Sequence, residues 1–161
     1  MSRDVLRSHP ASPLLLTYVV SFPSISFQMI DQSSTFLFQN PTMASHLGAI
    51  LVVGGCGFLG HNTVRELLQH DSSASISVLD LRTDTNRHPS VSYHSADITQ
   101  KPQVEAVFAK VKPKTVFHTV SPHPLQRDRH LLYTVNVIGT RNLVACAQQA
   151  GTAAFVYTSS T

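Results

Sequence analysis

The apolar run Ala49-Ile50-Leu51-Val52-Val53 gives way to Gly54-Gly55-Cys56-Gly57-Phe58-Leu59-Gly60, and no other junction in the chain limits the fold so tightly. An unbroken aliphatic run with no polar alternation suits a strand covered on both faces, the condition found in parallel sheets. The glycine-rich stretch suits a turn whose backbone angles side chains disfavour. From Phe58 to His70, Leu59, Val64, Leu67 and Leu68 share one helical face. A buried strand, a bare turn and an amphipathic helix follow one another there.

The pattern then repeats. Ile76-Ser77-Val78-Leu79 reads as a second strand ending at Asp80, and Val91-Ser92-Tyr93-His94 as a short third. Val104, Val107, Phe108 and Val111 recur at helical spacing, with Pro113 just beyond. Residues 115–120 read as a fourth strand. Residues 128–150 read as a long helix with Leu131, Val135, Ile138 and Leu143 inward and Gly151 as its stop. Ala154 to Thr158 reads as a fifth strand. Alternating strands and helices with short connections predict an α/β fold, a Rossmann-like doubly wound parallel sheet of about five strands, truncated on its C-terminal side. On this reading Phe155, Val156 and Tyr157 stand on an open edge, which favours marginal folding or aggregation.

The segment before this unit differs. Residues 1–42 are rich in Ser, Pro, Gln and Phe, carry Asp4 and Asp31 as their only acids, and show no steady period. They are expected to be a poorly ordered extension, with residues 43–161 forming the incomplete nucleotide-binding domain. Leu14 to Val20 is a short apolar run behind Arg3 and Arg7. Pro10, Pro13 and Pro23 surround it and no small-x-small cleavage site follows, so a signal or transit peptide is not favoured. No stretch reaches the roughly 20 apolar residues that span a bilayer.

Composition narrows the function classes. With 42% hydrophobic and 13% charged residues the chain is neither disordered nor collagen-like. Its net charge of +3 comes from scattered Lys and Arg, so no nucleic-acid partner is expected. Cys56 and Cys146 lack CxxC context and suit packed thiols in a reducing compartment. His118, His123 and His130 form no HxxxH or HExxH pattern, so no metal site is expected.

The glycine stretch fits Gly-x-x-Gly-x-x-Gly from Gly54 and Gly-x-Gly-x-x-Gly from Gly55. Such spacing lets a pyrophosphate approach the backbone at Gly54 and Gly57. It lets the helix pack on the strand at Gly60, and it offers the N–H groups of the first helical turn, Phe58 and Leu59 included, to the phosphate. Glycines that serve packing alone are the other reading. Asp80 stands 20 residues beyond Gly60, where an acid would bind ribose hydroxyls. A carboxylate there bonds a 2′-hydroxyl and repels a 2′-phosphate, so NAD is favoured over NADP. Arg82 is placed to soften that preference.

These blocks, together with Ala96-Asp97-Ile98-Thr99, Val116 to Pro122, Val135 to Leu143 and Phe155 to Ser160, resemble the extended short-chain dehydrogenase/reductase superfamily. Within it they resemble the 3β-hydroxysteroid dehydrogenase branch, above all its sterol-4α-carboxylate 3-dehydrogenase group. The resemblance covers about residues 46–161. It implies that Asp97 and Ile98 flank the adenine, that Thr119, Val120 and Ser121 pass beneath the cofactor, and that Asn136 supports the active site. It also implies that Ser160 is the catalytic residue bonding the substrate oxygen. The family's Tyr-x-x-x-Lys pair is not matched: none of the 4 tyrosines, Tyr18, Tyr93, Tyr133 and Tyr157, has Lys four residues on. The resemblance therefore implies NAD-dependent oxidation of a 3β-hydroxysterol by the full-length relative, with this chain a fragment, inactive alone. An inactive NAD-binding module, or a fragment of a sugar-nucleotide epimerase or flavonoid-type reductase, stays open, as does a homodimer. The family setting is the cytoplasmic side of the cell, at the endoplasmic reticulum for the sterol group.

Overall fold

The computed structural model describes residues 15–21, 26–30, 47–123 and 125–160, with side chains from 47 to 158 apart from Pro124. Strands β1 (Leu15–Ser21) and β2 (Ser26–Ile30) precede the first glycine turn. Strand β3 (Ile50–Val53) leads through that turn into helix α1 (Phe58–His70). Then come β4 (Ile76–Asp80), β5 (Ser92–Ser95), α2 (Lys101–Val111) and β6 (Thr115–His118). Helix α3 (Arg129–Tyr133) runs through a π-helical turn (Thr134–Gly139) into α4 (Thr140–Gln149), and β7 (Ala154–Ser160) follows.

The sheet has the order β2-β1-β7-β6-β3-β4-β5. The five strands β5-β4-β3-β6-β7 are all parallel, with Ile50 opposite Ile76 on one side and Thr115 on the other. The expected Rossmann-like sheet is therefore present. Its strand order reverses direction at β3, so the carboxyl ends of β3 and β6 part there and leave a crevice.

The period of two along β3 divides the core. Leu51 and Val53 face a layer with Val104, Val107 and Phe108 of α2 and Leu143, Cys146 and Ala147 of α4. Ile50 and Val52 face the opposite layer, with Val64 and Leu67 of α1. All four residues of β3 are buried, which is why the strand reads as a continuous apolar run.

Three features depart from the sequence expectation. The apolar run at residues 14–20, set within the segment expected to be an extension, supplies β1. It pairs antiparallel with β7 from Leu15 opposite Ser160 to Ser21 opposite Ala154. The β7 edge is thus covered by a strand, not open; a run of aliphatic and β-branched residues has the propensity to add to a bare ladder. The long helix is broken by its π turn, which takes up an extra residue and rotates the face of α3 relative to α4. Leu131 is consequently 39% exposed and not inward, whereas Leu143 is fully buried. Finally, β6 stops at His118, leaving Thr119–Ser121 as loop.

Candidate dinucleotide-binding site

The glycine turn is built by contact as well as by conformation. Gly54 has φ +83°, and a Cβ there would meet Val120 Cγ2 at 2.9 Å and Thr119 Oγ1 at 3.0 Å. A Cβ on Gly60 would run into the backbone of Gly54 and Gly55, at 2.7 Å from the Gly54 carbonyl carbon. That contact seats the first turn of α1 directly on the end of β3. At Gly57 the situation differs: a Cβ would touch only the Gly54 carbonyl oxygen, at 3.3 Å, and the residue is exposed. The N-terminus of α1 carries no side-chain cap and no acid in its first turn. Its N–H groups and the positive end of its dipole are left to whatever enters the crevice.

The opposite wall comes from β4. The Asp80 carboxylate accepts from the Cys56 backbone N–H through Oδ2 at 3.0 Å, and from the Arg82 N–H through Oδ1 at 3.4 Å. Glycine turn and acid are thereby locked together. On the third side, the Thr119 N–H and hydroxyl both donate to the Val53 carbonyl, at 2.9 and 2.8 Å, tying the loop after β6 to the end of β3. The open cleft between these walls has a volume of about 400 Å³, within the range of small-molecule sites, about 300–1,000 Å³.

Of the residues expected from sequence, Gly54, Gly57, Asp80, Arg82, Thr119, Val120 and Ser121 line this cleft together. Phe58 opens α1 with its ring 87% exposed, Leu59 is half-buried beside it, and Gly60 lies beneath the turn. Asp97 and Ile98 stand apart, in the turn after β5. There the Asp97 Oδ1 accepts from the Thr99 N–H and hydroxyl at 2.9 and 2.8 Å, and Ile98 is buried against Gly139. Asn136 is half-buried in the π turn. Ser160 ends β7, and its side chain lies outside the described residues.

Sequence reasoning missed several participants. Cys56, Asp84 and Thr85 also line the cleft. The buried Asn142 amide donates to the Ile98 and Thr99 carbonyls at 2.9 and 3.2 Å, pinning the Asp97 turn to α4. The signal was a lone asparagine on a face otherwise apolar. Cys56 is no nucleophile, because burial pushes its thiol up first and the negative charge of Asp80 pushes it further. His118, at the end of β6, is almost wholly buried, and burial lowers its pKa from 6.5 to about 4. Its Nδ1 accepts from the Val120 N–H at 3.4 Å, so Nε2 carries the proton and donates to the Thr140 hydroxyl at 2.9 Å. The ring thus couples the loop under the cleft to α4. Among the described residues no cluster of side chains could hold a metal ion, and no helix is long and apolar enough to cross a membrane.

Comparison with known proteins agrees with this geometry. A sequence profile of the 3-beta hydroxysteroid dehydrogenase/isomerase family matches residues 51–161. The sterol-4-alpha-carboxylate 3-dehydrogenase (decarboxylating) of Bos taurus is 35% identical over 109 residues, 68% of this chain and 29% of that protein. The 3-beta-hydroxysteroid dehydrogenase of Mycolicibacterium neoaurum is 36% identical over 128 residues, 75% of this chain and 34% of that protein. The chain therefore spans about a third of the length of these curated relatives. Among solved structures, the UDP-glucose 4-epimerase of Thermus thermophilus in complex with NAD superposes with a TM-score of 0.58 at 30% identity, over 63% of this chain and 34% of that one. The Bordetella bronchiseptica enzyme WbmG in complex with NAD and UDP gives 0.58 at 27% identity, over 65% of this chain and 35% of that one.

Proposed function

Because this chain belongs to the 3-beta hydroxysteroid dehydrogenase/isomerase family, we propose that its cleft binds NAD and that the whole protein oxidises the 3β-hydroxyl of a sterol. One observation carries the cofactor reading above the rest. The Asp80 carboxylate is bonded to the glycine turn itself, at Cys56, on the same cleft as the uncapped start of α1. That juxtaposition supports a reading in which the acid takes the ribose and the helix terminus the phosphate.

The residues divide the work. Gly54 and Gly57 leave the backbone bare for the pyrophosphate, and the N–H groups at Phe58 and Leu59 face it. Asp80 accepts from the adenosine ribose hydroxyls and disfavours a 2′-phosphate, so NAD is preferred to NADP. Asp97 and Ile98 take the adenine end, while Thr119, Val120 and Ser121 form the floor and Asn136 supports the far side. Bound NAD supplies the hydride acceptor. Ser160 holds the substrate oxygen.

The substrate class rests on the sequence relatives, several of which are named as sterol-4-alpha-carboxylate 3-dehydrogenases. The likeness to NAD-bound epimerases lies in the cofactor-binding half, which a sugar-nucleotide enzyme and a sterol enzyme share. With no Tyr-x-x-x-Lys among these 161 residues, they bind cofactor without turning over sterol by themselves. Attachment to the endoplasmic reticulum belongs to the same reading.

The chain has no tryptophan, so NADH fluorescence reports binding without interference. Titration with NADH is expected to give saturable enhancement, weaker with NADPH. Incubation with NAD and a 4α-carboxylated 3β-hydroxysterol is expected to give no NADH. Preference for NADPH, or robust turnover, contradicts the respective part of the proposal.

A further inference from the structure

Residues 81–90, in the loop between β4 and β5, bring Arg82, Asp84 and Thr85 to the cleft wall, beside the carboxylate of Asp80. Nothing in its length fixes it there, and most of its residues are exposed. Its middle is tied to the glycine turn by one residue. Asn86 has φ +51°, a left-handed conformation that asparagine tolerates better than most side chains. Its side-chain amide donates to the Cys56 carbonyl at 2.8 Å, inside the glycine turn. Its own carbonyl accepts from the His61 ring at 3.0 Å, on α1. The far end of the loop is held separately, where the His88 N–H donates to the Tyr93 hydroxyl at 2.7 Å and the Arg87 guanidinium lies 4.6 Å over the Tyr93 ring.

We propose that Asn86 is a positioning residue that pins the 81–90 loop to the glycine turn and so sets how strictly the cleft tells a ribose 2′-hydroxyl from a 2′-phosphate. This rests on the cofactor reading above. With the loop pinned, the charge of Asp84 adds to that of Asp80. Both acids are felt at Cys56, whose thiol is raised by burial first, then by Asp80, with Arg87 opposing and Asp84 adding the smallest share. A phosphate entering that corner meets two like charges, against one lining cation, Arg82. Released from Cys56, the loop can carry Asp84 away and free the long side chain of Arg82 to pair with a phosphate, an anion its fork of donors suits well.

The test uses the full chain and the ratio of NADPH to NADH dissociation constants. Asn86→Gly keeps the left-handed backbone and removes only the amide. It is expected to lower that ratio roughly three- to ten-fold, the worth of about one hydrogen bond, while the thermal midpoint hardly moves. Amide hydrogen exchange in residues 81–90 is expected to quicken in the same variant. Asp84→Asn, on an exposed side chain, is expected to lower the ratio without quickening exchange. A ratio unchanged in both variants while NADH still binds overturns the role of the loop alone. A lowered midpoint with an unchanged ratio makes Asn86 merely structural, which also overturns it. Failure of the unaltered chain to bind NADH overturns the cofactor reading and this inference with it.

Discussion

His118 shows how a single residue binds the site to the core. It is 1% exposed, and only as a neutral ring can its Nδ1 accept from the Val120 N–H while Nε2 donates to Thr140. Its folded pKa of about 4 lies below the 6.5 of an exposed histidine, so the unfolded chain takes up a proton first as pH falls. The stabilisation is complete above about pH 6.5 and is lost progressively toward pH 4, by about 3 kcal/mol in all. Urea unfolding between pH 7 and pH 4 is expected to show that loss, and His118→Asn to flatten it; equal slopes in both proteins would refute the assignment. At Gly60 the expected effect is steric. Gly60→Ala drives a methyl into the Gly54 backbone and is expected to cost about 1–3 kcal/mol, read as a lower denaturant midpoint. Glycine spacing and the distance to Asp80 made these backbone demands legible in the sequence. The partners of Asn86 and Asn142 were not legible, because each acts on a carbonyl 30 or more residues away; the apolar face around Asn142 marks that residue but not what it binds.

At the scale of elements, apolar period carried most of the information. Buried strands read as continuous runs and helices as spaced ones, and β3 to β7 follow with ends shifted by a residue or two. The π turn left no mark in that period, since it alters which carbonyl each N–H meets and not which residues are apolar. The β1–β2 hairpin was hidden for another reason. Its pairing with β7 is antiparallel and joins residues more than 130 positions apart, and the prolines and serines in and around it resemble a linker. From Thr17 to Ser21, β1 pairs on both sides, so each N–H there faces one neighbour or the other. Val19→Pro deletes one of them and is expected to lower the thermal midpoint and increase aggregation, measured by light scattering. Unchanged behaviour would mean that β1 contributes nothing to the β7 edge. In α4, Asn142→Ala leaves the buried Ile98 carbonyl and the part-buried Thr99 carbonyl without this donor and is expected to cost about 1–3 kcal/mol.

At the scale of the molecule, a parallel sheet opens where its strand order reverses, and three separate segments meet at that opening: the glycine turn, Asp80 and the loop after β6. Family membership rests on residues 51–161, while the grip on a dinucleotide rests on this convergence. Calorimetric titration of the chain with NAD, repeated on Asp80→Asn, tests that grip most directly. One-site binding that weakens roughly ten-fold in the variant, the loss of a charge-assisted hydrogen bond, is the result predicted. Binding of equal strength in both proteins, or no binding heat from the unaltered chain, would contradict it.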